Sequence, residues 1–313
     1  MVKLTDDYMT NQLKIISVNC QGLGDKRKCQ DVLMNLKLKK YNVYFIQDTH
    51  FTTEEENYIE TMWSHDVFFN SYKSNSRGIA ILFNDNCEVK VHKNYRDENG
   101  NYLILEATID NLQFLLVNLY GPNSDTPEFY SQLLGKIEEI YSGQYVIIGG
   151  DFNLVLNQDL DTMNYKRINN PKAQVEVHKL METLDLIDIF RENTPTLRRY
   201  TWRKRNPIKQ GRLDFFLISQ SFLSLAPQIK FENSYRSDHS PVILEYKINE
   251  ITNIDLFLRW IEENNIRIIA ISNTENLNQK REGAVNLRYV AERLRDIKNM
   301  DEVEAFYKEC VYN

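Results

Sequence analysis

Carboxylate, carboxamide, imidazole and phenol side chains recur along this chain where apolar runs end. The clearest case is Gly149-Gly150-Asp151-Phe152-Asn153, which follows the apolar run 145–148. Such a run predicts a buried strand. Because alternate residues of an extended chain point the same way, Asp151 and Asn153 are expected to project together from the strand end, with Phe152 in the core. By itself, the stretch is equally compatible with a polar turn after a core strand.

Similar side chains mark the ends of other predicted strands. Each has a simple structural explanation, since a strand-end Asp or Asn usually satisfies a turn and a strand Tyr usually packs in the core. Taken together they form a chemical set, because hard oxygen ligands suit Mg²⁺ while His and Tyr suit an anionic transition state. The set predicts chemistry on a phosphate and comprises Asn19, Asp48 with His50, Asn118 with Tyr120, Asp151 with Asn153, Asp214, and Asp238 with His239.

The hydrophobic pattern predicts the elements that must position these groups. Asp110-Asn111 is expected to turn a hairpin, and Asp125 to cap a helix. Two strand-rich halves with flanking helices indicate a sandwich of two sheets. Strands are predicted at 13–19, 43–46, 67–70, 78–83, 88–92, 103–109, 112–120, 145–148, 212–218 and 242–246, and helices at 26–40, 54–63, 125–141 and 173–184. Beyond about residue 247 the pattern indicates helices at 254–264 and 285–297 and a strand at 267–271.

Composition limits the class of protein. The chain has 313 residues, 42% hydrophobic and 26% charged, which is typical of a globular protein. Its net charge of −6 argues against a general polyanion-binding surface, so any nucleic-acid contact must come from a local basic patch. The four cysteines have no metal-site or disulfide spacing. Without a signal peptide or a membrane span in the sequence, we expect an intracellular, non-secreted protein.

The one concentrated basic stretch is 198–212, with seven Lys or Arg and no acid. Basic and aromatic side chains in alternation suit contact with a phosphate backbone. The alternative is a solvated hairpin tip. The candidate DNA contacts are Tyr200, Trp202, Arg203, Lys204 and Arg205, with Arg77 and Asn123 elsewhere in the chain.

Over residues 13–247 the sequence resembles the endonuclease/exonuclease/phosphatase superfamily. The matching motifs occur in the superfamily's order: Asn19, 47–50 (Gln-Asp-Thr-His), 118–123 (Asn-Leu-Tyr-Gly-Pro-Asn), 150–153 (Gly-Asp-Phe-Asn), 212–214 (Arg-Leu-Asp) and 237–239 (Ser-Asp-His). Within it, stretches 119–133 and 149–161 are most similar to the apurinic/apyrimidinic-like endonuclease domain of LINE-type (non-LTR) retrotransposons. The resemblance implies a DNase I-like four-layer α/β-sandwich of two mainly antiparallel sheets flanked by helices.

The resemblance also implies residue roles. Asp48 would bind Mg²⁺, or Mn²⁺ in its place, with Asn19 beside it and Asp238 as a further ligand. Asp151 would orient or deprotonate the attacking water, and Asn153 would hold the scissile phosphate. His239, oriented by Asp214, would donate to a phosphate oxygen, and Tyr120 would stabilise the phosphate or the departing oxygen.

One position departs from the superfamily pattern. Residue 48 is Asp where Glu is usual, so this carboxylate reaches one methylene less far. Mg²⁺ requires nearly ideal octahedral geometry, so a shorter ligand must be compensated by a backbone shift or a bridging water. We therefore expect an altered metal preference.

The superfamily's catalytic set serves several substrates and does not name one. We expect a metal-dependent endonuclease that nicks double-stranded DNA and leaves a 3′-hydroxyl, as the target-nicking domain of a retrotransposon. An abasic-site repair endonuclease, a phosphatase of the same superfamily and a silent binding domain are the alternatives. A reverse transcriptase domain in the parent polyprotein is the expected partner, and a nuclear location follows from the DNA hypothesis alone. The expected divisions are an N-terminal extension at 1–12, the catalytic domain at 13–247 and an appendage at 248–313.

Overall fold

Two six-stranded mixed sheets form the centre of the computed structural model, which describes residues 11–85, 87–248, 269–270 and 284–285. The strands are β1 (Asn11–Asn19), β2 (Val43–Gln47), β3 (Val67–Asn70), β4 (Ile79–Phe83), β5 (Val89–Arg96), β6 (Tyr102–Ile109), β7 (Leu112–Tyr120), β8 (Tyr145–Asp151), β9 (Thr162–Met163), β10 (Leu186–Asp188), β11 (Trp202–Lys204), β12 (Lys209–Gly211), β13 (Asp214–Ser219), β14 (Gln228–Phe231), β15 (Val242–Ile248), β16 (Ile269–Ala270) and β17 (Ala284–Val285). The helices are α1 (Lys26–Lys39), α2 (Thr53–Trp63), α3 (Pro127–Ile140), α4 (Gln158–Asp161), α5 (Pro171–Thr183) and α6 (Ile189–Asn193), with a 3₁₀ turn at Gln220–Leu225.

The first sheet has the strand order β14-β15-β1-β2-β4-β3, and the second has the order β10-β13-β8-β7-β6-β5. The pairs β1–β2 and β7–β8 are parallel, whereas β2–β4, β6–β7 and β8–β13 are antiparallel. A separate three-stranded sheet has the order β11-β12-β9. The parallel pairs place the carboxyl ends of neighbouring strands at one edge, where polar side chains can gather.

Helices cover the outer faces of both sheets, which makes four layers. The apolar faces of α1 and α2 pack on the first sheet, as the burial of Leu33 and Trp63 shows. The apolar faces of α3 and α5 pack on the second sheet, with Leu133 and Val177 fully buried. The predicted four-layer α/β-sandwich is confirmed.

A buried amide joins the two sheets close to the candidate site. Asn118, on β7, donates to the backbone oxygens of Ile46 and Ala80 at 3.1 and 2.9 Å, on strands of the other sheet. Gln47 donates to Asn118 Oδ1 at 2.7 Å. Because a buried amide is costly to leave unpaired, this bridge fixes the register of the sheets one residue before Asp48 and two before Tyr120.

Most predicted elements are found, and the differences have physical causes. The hairpin turn at Asp110-Asn111 is confirmed, with both residues at positive φ. The predicted cap at Asp125 is wrong. Thr126 is the N-cap of α3, and Asp125 instead accepts from the backbone nitrogen of Ala173 at 2.8 Å, at the start of α5. The short strands β9 to β12 and β14 were not predicted.

The chain divides into two units, Gln12–Lys247 and a second composed of Met1–Asn11 with Ile248–Asn313. In the second unit, β16 and β17 pair in parallel, and β16 falls within the predicted strand 267–271. The predicted helix 254–264 lies outside the described residues, as does the predicted helix 285–297 apart from its first residue. Of the helices in the described part of the chain, none combines membrane-spanning length with sufficient apolar character.

Candidate active site

Strand β8 reaches the site through two glycines, at positions where there is no room for a side chain. A Cβ on Gly149 would lie 2.3 Å from the Phe216 ring, and one on Gly150 would lie 1.9 Å from the backbone oxygen of Leu119. The absence of a Cβ at both positions lets β8 pack tightly between its neighbours just before Asp151. Phe152 is 1% exposed, so its predicted place in the core is confirmed.

Strand register aligns three candidate residues across the second sheet. Tyr120 pairs with Asp151 between β7 and β8, and Asp214 pairs with Asp151 between β8 and β13. In the first sheet, Asn19 pairs with Gln47, the residue before Asp48. The aligned residues of the two sheets meet where Asn19 Nδ2 donates to Asp151 Oδ2 at 2.8 Å.

Asp151 is 1% exposed and hydrogen-bonded through both oxygens. Its Oδ1 accepts from the backbone nitrogen of Asn153 at 2.9 Å, while Oδ2 accepts from Asn19. Burial and the charge of Asp214 raise the pKa of Asp151 to about 7, against the opposing effects of His239 and the two hydrogen bonds. A carboxylate with a pKa near neutrality suits a general base.

His239 and Asp214 form a buried pair, with Nδ1 of the imidazole 2.8 Å from Asp214 Oδ2. The Nε2 atom faces Asp151 Oδ2 at 3.8 Å. Burial alone would lower the pKa of His239, but the charges of Asp214 and Asp151, the hydrogen bond to Asp214 and the charge of Asp238 together raise it to about 10. The imidazole is therefore protonated at neutral pH, with Nδ1–H donating to Asp214 and Nε2–H available as a donor.

Tyr120 and Asn153 lie beside this pair. Burial and the charges of Asp48 and Asp151 raise the pKa of Tyr120, although hydrogen bonds with Asn123 and Asn153 oppose the rise. The phenol therefore keeps its proton and can donate to an anion. Asn153 Nδ2 donates to the backbone oxygen of Gly121 at 2.7 Å, which fixes the orientation of its side-chain amide.

The expected metal ligands are Asp48, Asn19 and Asp238, of which Asn19 bonds to Asp151 and Asp238 Oδ1 lies 3.9 Å from His239 Nε2. Oδ1 of Asp48 is 3.0 Å from Nε2 of His50. Asn19 Oδ1 accepts from the backbone nitrogen of Gln21 at 2.9 Å, which turns the amide oxygen away from Asp151. Asp238 Oδ2 accepts from Trp202 Nε1 at 3.0 Å. These are hard oxygen donors of the kind that Mg²⁺ and Mn²⁺ take.

A second arrangement of groups could hold a metal ion. Ligand atoms of Asp151, Asp214 and His239 all lie within 4.8 Å of one another. A metal ion needs a neutral imidazole, whereas the two carboxylates favour the protonated form of His239. This trio is thus better suited to proton transfer and anion binding, and the oxygen donors Asp48, Asn19 and Asp238 to a cation.

A cavity of about 420 Å³ gathers most of the predicted site. Every predicted catalytic and metal-binding residue lines it except Asp214, which is buried behind His239. Three predicted DNA contacts also line it, namely Asn123, Trp202 and Lys204. A neighbouring cavity of about 410 Å³ shares Asp48, Tyr120 and Asn123 with the first and adds Arg77 to its lining.

The other predicted DNA contacts line neither cavity. Tyr200 donates to the backbone oxygen of Thr162 at 3.4 Å, Arg203 is exposed with NH1 3.5 Å from Ser240 Oγ, and Arg205 is exposed. Sequence reasoning missed Tyr165 and Asn169 in the lining and did not single out Lys209, whose Nζ lies 5.3 Å from the Tyr165 ring centroid. The position of Lys209 in the basic stretch was the available signal.

Arg212 belongs to the core and takes no part in phosphate contact. It is fully buried and bonded to two carboxylates, with Nε 2.8 Å from Asp161 Oδ1 and NH2 2.5 Å from Asp188 Oδ2. The basic stretch therefore offers fewer free cations than its sequence indicates. Arg212 instead ties the last residue of α4, Asp161, to the last residue of β10, Asp188.

Solved AP endonucleases share the fold of this chain, and two curated relatives share its sequence, in agreement with the endonuclease/exonuclease/phosphatase superfamily that the sequence predicts. The predicted resemblance to that superfamily is confirmed by comparison with known proteins. The AP endonuclease of Leishmania major superposes with a TM-score of 0.65 at 17% identity, covering 80% of this chain and 92% of that chain.

Two curated relatives carry the sequence similarity. The chain is 30% identical over 240 residues to the transposon TX1 uncharacterized 149 kDa protein of Xenopus laevis, covering 75% of this chain and 18% of the relative. It is 25% identical over 289 residues to the DNA-(apurinic or apyrimidinic site) endonuclease of Plasmodium berghei, covering 76% of this chain and 50% of the relative. The chain thus spans half or less of the length of these relatives. No protein-family model matches it.

Proposed function

We propose that the chain is a metal-dependent DNA endonuclease that hydrolyses a phosphodiester and leaves a 3′-hydroxyl. The observation that carries the proposal is that two bonded pairs, Asn19–Asp151 and Asp214–His239, meet where His239 Nε2 lies 3.8 Å from Asp151 Oδ2. Asp48 and Tyr120 line the same cavity as Asp151 and His239. A base, a protonated imidazole and a set of hard oxygen ligands are what phosphodiester hydrolysis requires.

The reacting groups take distinct roles. Asp151, ionised above pH of about 7, accepts a proton from the attacking water. His239 donates from Nε2 to a phosphate oxygen while Asp214 holds the ring through Nδ1. Tyr120 donates its phenolic proton to the phosphate or to the departing oxygen, and the side-chain amide of Asn153 holds the scissile phosphate.

Asp48 and Asn19, with Asp238, would hold the divalent cation. When bound, Mg²⁺ or Mn²⁺ would neutralise charge on the phosphate. The three residues offer oxygen donors of the kind that such an ion takes, and all three line the same cavity. The shortened carboxylate at position 48 sets the metal preference.

DNA is favoured as the substrate by the basic and aromatic rim of the cavity. Trp202, Lys204 and Lys209 line one side, and Arg77 lines the adjoining cavity. Cations therefore line both adjoining cavities, which suits contact with the phosphate backbone of a DNA strand. Arg203 and Arg205, exposed on the same hairpin as Lys204, and Tyr200 before it would extend the contact.

The transposon relative supports a role in element mobility. We propose that the domain nicks the target DNA of a non-LTR retrotransposon, acting beside a reverse transcriptase in a parent polyprotein and therefore in the nucleus. Repair of abasic sites is the second candidate, favoured by the similarity to the Plasmodium berghei enzyme. The domain would occupy 13–247, with 1–12 and 248–313 outside it.

A substrate panel tests the proposal. The purified chain is given supercoiled plasmid, a duplex with one abasic site, and an inositol phosphate, each with Mg²⁺ and with EDTA. We expect metal-dependent nicking of plasmid, and extension of the nicked product by a DNA polymerase without prior phosphatase treatment. Cleavage of the abasic duplex alone would favour repair, and phosphate release from the inositol alone would contradict a nuclease function.

A further inference from the structure

Thr201 occupies an unusual position beside the candidate active site, although it touches neither cavity. It is fully buried, and its hydroxyl oxygen accepts two backbone hydrogen bonds, from the nitrogen of Leu213 at 3.0 Å and from that of Asp214 at 3.1 Å. The hydroxyl therefore uses both lone pairs to accept hydrogen bonds, one from the first residue of β13 and one from the residue before it. This contact fixes the backbone from which the Asp214 carboxylate projects.

The backbone of Thr201 holds the other half of the pair. The nitrogen of Ser240 donates to the backbone oxygen of Thr201 at 2.7 Å, and Trp202 pairs with His239 in an antiparallel bridge. One residue further on, the nitrogen of Arg203 donates to the backbone oxygen of Asp238 at 3.3 Å. The segment 201–203 thus lies between the two chain segments that supply the imidazole and its carboxylate.

We infer that Thr201 is a positioning residue for the proposed reaction, which sets the distance between Asp214 and His239 through its hydroxyl and its backbone. Since the same segment continues into the exposed cations Arg203 and Lys204, it also joins the proposed DNA-binding hairpin to the reacting centre. Asp214 and His239 come from segments 25 residues apart. Thr201 bonds to both segments at once, by its side chain to Leu213 and Asp214 and by its backbone to Ser240.

The inference rests on the proposed function, and its test is a set of substitutions that differ in the acceptor they leave. Thr201→Val keeps the shape but removes the acceptor, Thr201→Ser keeps the acceptor, and Thr201→Cys offers a weaker one. In plasmid nicking with Mg²⁺, we expect Thr201→Val to lower kcat by ~10- to 100-fold, as loss of an orienting partner typically does. KM and the dissociation constant for duplex DNA should stay within about twofold, because Thr201 does not line the cavity.

The conservative variants and a double-mutant cycle separate positioning from general stability. Thr201→Ser should nick within about threefold of the wild-type rate. In an Asp214→Asn background, adding Thr201→Val should change kcat by less than about twofold, because the group that it positions is already lost. If Thr201→Val does not fold, Thr201→Cys should give a kcat between those of wild type and Asp214→Asn, again without a further loss in that background.

Different results overturn the two proposals. If the wild-type chain nicks DNA, two results overturn the role of Thr201 alone. One is a kcat of Thr201→Val or Thr201→Cys equal to that of wild type. The other is a loss of kcat that is as large in the Asp214→Asn background as in the wild-type background. A Thr201→Ser variant whose kcat is as low as that of Thr201→Val or Thr201→Cys also overturns the role of Thr201 alone. A wild-type chain that nicks no DNA overturns the proposed function, and this inference with it.

Discussion

Replacing Arg212 by Met should destabilise the fold far more than replacing any exposed cation of the same stretch. The guanidinium is fully buried and bonded to Asp161 through Nε and NH2 at 2.8 and 2.9 Å, and to Asp188 through NH1 and NH2 at 3.2 and 2.5 Å. Removing one partner of a buried ion pair leaves an uncompensated charge and costs about 3–5 kcal/mol. Because Asp161 also pairs with Arg191 and keeps that partner, we expect a loss near the lower end of this range.

The free energy of unfolding is measured by urea titration at neutral pH, using circular dichroism. Arg205→Met is the matched control, since Arg205 is exposed in the same stretch and should change stability by less than about 0.5 kcal/mol. Arg212→Lys keeps the charge without the planar fork and should fall between the two. A loss of under about 1 kcal/mol in Arg212→Met, with an unchanged denaturant slope, would refute the argument.

The unfolding free energy lost in Arg212→Met should also depend on pH. Burial alone would raise the pKa of Asp161, but the hydrogen bonds and charges of Arg212 and Arg191 hold it below the usual 3.8. A carboxyl with a lowered folded pKa stabilises the fold fully above its unfolded pKa and loses that contribution as the pH falls through the folded value. The stability gap between wild type and Arg212→Met should therefore be full at neutral pH and narrow below about pH 4. A gap that widens in acid would contradict the pairing.

Three further results are expected. Asp48→Glu should change the ratio of nicking rates in Mg²⁺ and Mn²⁺, and identical ratios would argue against a length-limited ligand. Gly149→Ala should cost about 1–3 kcal/mol of unfolding free energy, since a Cβ there lies 2.3 Å from a phenylalanine ring; Gly135→Ala, with open space on a helix, should stabilise by up to about 1 kcal/mol. Lys204→Ala should reduce the slope of log binding constant against log salt by about 1, whereas the exposed Lys90→Ala on β5 should leave it unchanged.

Local pattern predicted what depends on neighbours in sequence. The apolar spacing of Val32, Leu33 and Leu36 gave the buried face of α1, and all three are 4% exposed or less. The Asp110-Asn111 turn was visible because few residues adopt positive φ at two consecutive positions. The ordered motifs then gave the fold by resemblance, since strand-end polar groups alone also fit ordinary turns.

What the sequence could not predict depends on partners far along the chain. The sequence indicated that Arg212 was one of the cations of the basic stretch 198–212. Its partner Asp161 lies 51 residues away, and no local pattern indicates their contact. Asp125 looked like the cap of the next helix, but it accepts from Ala173, 48 residues on. Tyr165 enters the cavity lining only once β9, β11 and β12 pair, and their two- and three-residue strands are too short to leave a periodic signal.

The most direct test of the proposed centre is single-turnover nicking of supercoiled plasmid by a His239→Gln variant. Loss of a proton donor and of the positive charge beside the phosphate should lower the rate by ~10²- to 10⁴-fold, without loss of folded protein. His178→Gln, on the exposed face of α5, is the matched control and should nick at the wild-type rate. Nicking by His239→Gln within about twofold of wild type would contradict a centre built on Asp151, Asp214 and His239.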